Sequence, residues 1–264
     1  MTSTWIVVVC MKYIASISMG KDSLAMLILL LSYPRSLFPL DYVVFYNTGM
    51  EFDCIYRIRD WVKDQCRMHG IQFVELHPDE PFVYCMFDKK VKNRDGSGCH
   101  YGYSWCGGQC RWATRYKIDA IRKFKQSLGE DCIDYVGIAA DETHRLEKEK
   151  AEDKIFPLVT LGYTEKDCLA LCRRNGIQWL EPSPATTSGY IDLYDILDRV
   201  SCWCCANKNL KELYHIYLYL PQYWERLKAF QARTERPMKG YRKTGPLGIL
   251  ELEQRFRLRE QNHN

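Results

Sequence analysis

A chain of 264 residues that is 47% hydrophobic and 13% aromatic can bury a full core, which excludes a disulfide-stapled mini-protein and a globally disordered chain. The net charge of +4 is small but clustered: ten Lys/Arg from Lys89 to Lys125 stand against Asp95 and Asp119, and seven from Arg226 to Lys243 against Glu235. Such tracts either attract a nucleic acid, a nucleotide or an acidic partner, or are solvated helix faces.

In chain order, Met1 to Cys10 read as an appendage or a mis-called start, with Met11 opening the segment the fold needs. Trp5–Val9 is apolar but too short for a secretory leader, and it lacks a basic flank. No apolar run reaches the roughly 18–20 residues that cross a bilayer, so no membrane partner is expected. A reducing cytoplasm is the expected compartment, where 13 cysteines point to metal or redox chemistry. Tyr13–Ser18 reads as a short buried strand. Leu24, Leu27, Ile28 and Leu31 then recur at helical spacing until Pro34. Asp41–Tyr46 is a second strand, Ile55, Ile58, Val62 and Cys66 mark a second helix ended near Gly70, and Ile71–Leu76 is a third strand.

Residues 81–111 carry Gly, Cys and aromatic side chains with no clear period. Trp112–Lys125 reads as helix and Asp134–Ala139 as a fourth strand. Thr164 caps a helix running to Arg174 with Gly176 as its stop, and the chain from Tyr190 is mostly helical. Strands alternating with helices imply an α/β fold with a parallel sheet and ligands at the carboxyl ends of its strands. The expected domains are an appended 1–10, a nucleotide-binding α/β domain over 11–180, and a helical, Cys-containing region over 181–264.

The turn Ser18-Met19-Gly20-Lys21-Asp22-Ser23, set between a strand and an amphipathic helix, suits an anion. Helix N-terminal amides and the helix dipole favour negative charge, Gly20 lets the backbone approach closely, Lys21 adds an ammonium, and Ser18 and Ser23 add hydroxyls. It is not the longer G-x-x-x-x-G-K-S/T loop, whose first Gly is absent. The alternative is an ordinary helix cap from Asp22 or Ser18.

The segment Ser-Ile-Ser-Met-Gly-Lys-Asp-Ser resembles the S-G-G-K-D-S pyrophosphate loop of the PP-loop ATP pyrophosphatases, with Met19 in place of a usual Gly. Asn47-Thr48-Gly49-Met50-Glu51 resembles the D-T-G-x-E of the phosphoadenosine-phosphosulfate (PAPS) reductase family. Gly137–Arg145 resembles that family's G-I-R-A-x-E-S-x-x-R, with Ala139 where Arg is common, and Arg199–Cys205 is similar to one branch of it. The resemblance covers roughly Lys12 to Phe230 and implies an adenine nucleotide alpha hydrolase-like, Rossmann-like fold. By position it puts ATP phosphate oxygens on Ser18, Gly20, Lys21, Asp22 and Ser23, and the nucleotide on Thr48 and Glu51. Glu142 and Arg145 would lie across the cleft, with Arg145 bidentate to phosphate or sulfate, and Asp22 or Glu142 would help hold Mg²⁺. Otherwise Glu142 and Arg145 are a surface ion pair three residues apart on a helix.

Cys106-x3-Cys110 and Cys202-x2-Cys205, with Cys204 between the latter pair, form two tight thiol groups able to hold an iron–sulfur cluster or zinc. Their neighbours, Trp105, Gly107, Gly108 and Trp203, suit a shielded site. Cys54, Cys66, Cys132, Cys168 and Cys172 read instead as buried packing. The resemblance favours a 4Fe–4S cluster and implies that ligation has moved along the loop, since relatives carry W-C-T where this chain has Trp112-Ala113-Thr114. Cys204 is then the thiol that carries sulfur, or a ligand in place of Cys205.

Three functions follow. The first is an ATP pyrophosphatase that adenylates a substrate for sulfur transfer, drawing on a sulfur donor, with DNA or RNA held by the basic tracts. The second is thiol-dependent reduction of adenylyl or phosphoadenylyl sulfate to sulfite. Against it stand the intact Lys21-Asp22-Ser23 and the lack of an E-C-G-x-H motif between Cys205 and Asn264. The third is a nucleotide-binding module without turnover.

Overall fold

The computed structural model describes residues 11–106, 110, 114–148, 152–239 and 245–262, so Met1–Cys10, Gly107, Gly108, Trp112 and Ala113 lie outside the described residues. The chain opens with β1 (Met11–Ile17), α1 (Lys21–Ser32), β2 (Tyr42–Tyr46), α2 (Asp53–Met68) and β3 (Gln72–Leu76). A π-helical turn, Tyr84–Asp88, precedes the hairpin of β4 (Lys90–Lys92) and β5 (Cys99–Tyr101). Next come α3 (Tyr116–Leu128), β6 (Asp131–Tyr135), α4 (Thr143–Leu146), β7 (Lys154–Ile155), α5 (Pro157–Thr160) and α6 (Glu165–Arg174). A second hairpin, β8 (Leu180–Pro182) and β9 (Tyr190–Asp192), leads into α7 (Leu193–Ile196), α8 (Leu210–Tyr219), α9 (Pro221–Gln231) and α10 (Ile249–Gln261).

Packing divides the chain into two units built from alternating segments. The first takes the chain up to Tyr46, then Arg57–Leu76 and Ile118–Gln178; the second takes Asn47–Tyr56, His77–Lys117 and the chain from Trp179 onward.

The first unit holds a sheet in the order β3-β2-β1-β6-β7, all pairs parallel, so the fold is α/β and Rossmann-like. The order reverses at β1, which pairs β2 on one side and β6 on the other, making the carboxyl end of β1 the topological switch point. β1 buries Ile14, Ala15 and Ile17, and α1 buries every residue from Leu24 to Leu30. A helix apolar on nearly all sides needs cover on several, and α1 packs on β1, α5 and α6. Both glycine stops read from the sequence hold: Gly70 and Gly176 adopt positive φ, and the amides of Ile71 and Ile177 reach back to the Cys66 and Cys172 carbonyls in Schellman fashion. Thr164 caps α6 in a reciprocal capping box with Asp167.

One strand lies elsewhere than expected. β6 is Asp131–Tyr135 rather than Asp134–Ala139, because it pairs β1 from Met11 to Ala15 and then leaves the ladder. The cause is close packing: a Cβ on Gly137 would lie 3.0 Å from the Ser23 Cα, so this backbone rests on the first turn of α1.

In the second unit α8, α9 and α10 pack on one another around Leu213, Ile216, Trp224, Leu227, Leu252 and Phe256. Asn209 and Glu212 form the capping box of α8, and Pro221 opens α9 at the position where its missing N–H costs nothing.

Candidate functional site

The turn after β1 is tightly drawn. The Ser18 amide donates to Ser23 Oγ at 3.2 Å, the two serine hydroxyls are 3.3 Å apart, and Ser23 Oγ donates to the Gly20 carbonyl at 3.0 Å. Gly20 is the N-cap of α1, and no side chain caps the helix there, so the cap reading of Asp22 or Ser18 does not hold. The helix therefore starts with its dipole aimed at the switch point and without the usual serine or aspartate oxygen on its first amides. Met19 sits in the left-handed region at φ 60° with its side chain fully buried. The family's Gly at this position meets the same backbone demand without strain.

Lys21 is buried, and its ammonium lies 2.8 Å from Asp22 Oδ1 and 2.7 Å from Glu165 Oε2 at the start of α6. Burial pulls its pKa down, but the hydrogen bonds to Asp22 and Glu165 outweigh this and leave it above the ordinary lysine value. Burial raises Asp22 against the opposing pull of Lys21, and Glu165 and Glu142 add to the rise. Three carboxylates and one ammonium thus share this end of the sheet. Oxygen donors of this kind suit Mg²⁺, and phosphate oxygens entering here would compete with Glu165 for Lys21.

Glu142 is not the surface carboxylate of the ion-pair alternative. It is 4% exposed, accepts the Ala139 amide at 3.3 Å, and takes Arg145 Nη1 at 2.8 and 2.9 Å on its two oxygens. Asp141 Oδ1 accepts the Glu165 amide at 3.0 Å, and the Ala140 amide donates to the Tyr163 carbonyl at 2.8 Å. The segment from Gly137 to Arg145 therefore ties the start of α1 to the start of α6.

The second unit holds the five clustered thiols. Asn47 Oδ1 accepts the Gly49 amide at 2.8 Å, folding the Asn47–Glu51 turn. Thr48 Oγ1 donates to Glu51 Oε1 at 2.7 Å and lies 3.4 Å from Cys202 Sγ, while the Trp203 amide donates to the Met50 carbonyl at 3.0 Å. Thr48 and Glu51, expected at the nucleotide, are here bonded to each other and to the Cys202 turn. Cys106, Cys110, Cys202, Cys204 and Cys205 all line one small cavity, together with Phe82, Met86, Ser104, Trp105 and Ala206. Two groups about ninety residues apart in the chain are thus brought together, and Cys204 is not set apart from the rest.

None of the twelve described cysteines is in a disulfide. Burial, then the Glu51 carboxylate, pushes the Cys202 thiol far up; burial, then Cys205, does the same for Cys204. As the side chains stand, no three His, Cys, Asp or Glu groups among the described residues enclose a metal ion. The donor set nevertheless suits a thiophilic metal or an iron–sulfur cluster: five sulfurs on apolar walls, and a buried Trp105 indole N–H that finds no acceptor among the described residues.

Sequence reasoning missed four charged side chains at these places. Glu165 binds Lys21 from 144 positions away. Lys117, one of the ten cations of the first basic tract, is lowered by burial with Glu51 as its chief opposing charge. Lys208 is 2% exposed, donates to Ser201 Oγ at 3.1 Å and lies over the Phe52 ring at 5.3 Å. Glu181, fully buried, accepts the Cys54 amide at 2.6 Å and the Tyr223 hydroxyl at 3.1 Å, capping the start of α2. Only Lys208 had a local signal, three residues past Cys205.

Fold and turn together define a parallel α/β protein with an uncapped helix N-terminus at its switch point. The phosphoadenosine phosphosulfate reductase domain matches residues 12–178, and the chain belongs to that family, within the adenine nucleotide alpha hydrolase-like superfamily. An uncharacterized protein of Methanocaldococcus jannaschii is 27% identical over 219 residues, which is 78% of this chain and 38% of that protein, so the chain spans well under half of that relative. Among solved structures, the U34-tRNA thiolase NcsA from Methanococcus maripaludis with its 4Fe–4S cluster aligns over 62% of this chain and 57% of its own, at TM-score 0.41 and 18% identity. No helix among the described residues is long and apolar enough to cross a membrane.

Proposed function

We propose that the chain is a PP-loop ATP pyrophosphatase that adenylates an acceptor, a nucleic acid, in preparation for sulfur transfer. The observation that carries this reading is the start of α1 at the switch point, where an uncapped helix end, two serine hydroxyls and the buried Lys21 ammonium converge within a family-matched segment. An acceptor oxygen attacks the α-phosphorus of ATP, the bond to the β-phosphate oxygen breaks, and pyrophosphate leaves with the bonding electron pair. The first amides of α1, Lys21, Ser18 and Ser23 would stabilise that developing charge without covalent chemistry. Asp22 and Glu142 would help hold Mg²⁺, which screens the phosphates, and Arg145 would turn from Glu142 to the α-phosphate. A sulfur nucleophile then displaces AMP from the activated acceptor.

Cys106, Cys110, Cys202 and Cys205 would hold a 4Fe–4S cluster, with Cys204 the sulfur-carrying thiol or a ligand in place of Cys205. The support is the shared cavity and its apolar walls. Bound there, the cluster would supply a site at which sulfur is activated.

The test is product analysis with ATP, Mg²⁺ and candidate RNA or DNA acceptors. AMP and pyrophosphate are expected in equal amounts, falling about a hundredfold or more in Lys21→Ala at a temperature where circular dichroism shows that variant still folded; its melting point should drop, because a buried, ion-paired ammonium is lost. Release of sulfite from adenylyl sulfates and a thiol, with no AMP formed from ATP, would replace this reading with reduction.

A further inference from the structure

Several cations of the two basic tracts are engaged by other residues of the protein. In the first, Lys89 pairs with Glu80, Arg122 with Asp119 and Lys125 with Asp134, while Lys117 is half-buried near Glu51. In the second, Lys228 pairs with Glu225, Arg233 with Asp88, and Arg226 lies over the Tyr223 ring. Of the cations that remain, three sit together on the β4–β5 hairpin. Lys90, Lys92 and Arg94 are exposed, and their side chains make no ion pair or hydrogen bond among the described residues.

The register sorts these residues further. Lys90 stands opposite Tyr101 and Lys92 opposite Cys99, so both lysines and the tyrosine share one face. Tyr101 is 72% exposed, the most exposed of the large hydrophobic side chains described. Arg94 follows at the tip, where Asn93 closes the turn through the Gly98 carbonyl at 2.9 Å. The base is held firmly: the Gly102 amide donates to the Lys89 carbonyl at 2.8 Å, and the Tyr103 and Ser104 amides to Cys85 and Met86 of the π-helical turn. The hairpin is thus an anchored platform with an aromatic ring and, among the described residues, unpaired cations on its open face.

We propose that this face holds a single-stranded stretch of nucleic acid, with an unpaired base stacked on Tyr101 and backbone phosphates on Lys90, Lys92 and Arg94. An exposed ring beside unpaired cations is the combination that binds single strands, the ring taking any base and the cations the backbone. Lysines along an edge strand disfavour the competing use of such a hairpin, pairing with a peptide strand. The inference deepens the nucleic-acid acceptor of the pyrophosphatase reading and rests on it for its purpose, but the binding itself needs no ATP.

The experiment is fluorescence anisotropy of the full chain with labelled oligo-uridine and oligo-deoxythymidine, over a salt series and without nucleotide. Tyr101→Ala should weaken binding about five- to a hundredfold, and Tyr101→Phe should retain it. Lys90→Glu with Lys92→Glu should reduce the slope of log affinity against log salt by about 1.4. The proposal is overturned if both sets of variants bind as the parent does, or if polyglutamate competes as well as the oligonucleotides, which would assign the face to an acidic peptide. The ratio of the two oligonucleotide affinities says whether RNA or DNA is preferred. Loss of pyrophosphate formation with oligonucleotide binding intact would count against the pyrophosphatase reading alone.

Discussion

Met19 carries two opposing effects in one residue. Its left-handed backbone costs about 1–2 kcal/mol relative to glycine, while truncating a buried methionine side chain costs about 2–5 kcal/mol. Burial wins, which is how this chain tolerates methionine where relatives carry glycine. Met19→Gly should therefore lower unfolding stability by about 1–4 kcal/mol in a denaturant titration, and a stabilised variant would show that strain dominates. At this scale the residue types of the loop were legible, since Ser18, Gly20, Lys21 and Ser23 advertise anion chemistry by composition and order. Their partners were not. Glu165 reaches Lys21 across a long loop closure, and a contact of that kind leaves no periodic trace in the chain. The partial burial of Lys117 near Glu51 was equally hidden within a run of cations that reads as solvated.

Elements with a clean period were the most legible. β1, α1, β2, α2 and β3 fall where hydrophobic spacing put them, and Gly70 and Gly176 stop helices as glycine should. β6 was misplaced because Val136–Ala139 has the apolar composition of a strand, whereas the close approach of Gly137 to α1 takes it out of the sheet. The hairpin in 81–111 was illegible because its strands are three residues long, too short for any alternation to register.

Glu181 shows an element held by a side chain that the sequence did not single out. Its carboxylate takes one of the N-terminal amides of α2, and burial raises its pKa above the ordinary glutamate value despite those hydrogen bonds. Because the folded value is the raised one, its contribution is fully present below the unfolded pKa and fades as pH rises through the folded one. Relative to Glu181→Gln, the parent should therefore gain stability as pH falls from neutral toward the ordinary glutamate range. A stability difference between the two that does not change with pH would refute this account of the α2 cap.

At the scale of the whole molecule, the chain alternates between two units, and the segments 47–56 and 77–117 join the later part of the chain. A linear reading of domain boundaries cannot display such interleaving. The same folding back gathers the five thiols on one cavity. Anaerobic purification with metal analysis and a visible spectrum should find iron and sulfide bound, and Cys202→Ser should lose most of both. Full metal content in that variant would move the ligands elsewhere.

The central claim is that the turn following β1 grips a polyphosphate through Lys21 and the first amides of α1. Calorimetric titration with inorganic pyrophosphate and Mg²⁺ reads that grip directly, with no acceptor or sulfur donor required. The parent should bind saturably and Lys21→Ala should lose the signal. Glu165→Gln, which removes the carboxylate competing for the ammonium, should bind about two- to fivefold more tightly, a small gain because Glu165 is 43% exposed. Equal pyrophosphate affinity in the parent and Lys21→Ala would contradict the assignment of this turn and the activity built on it.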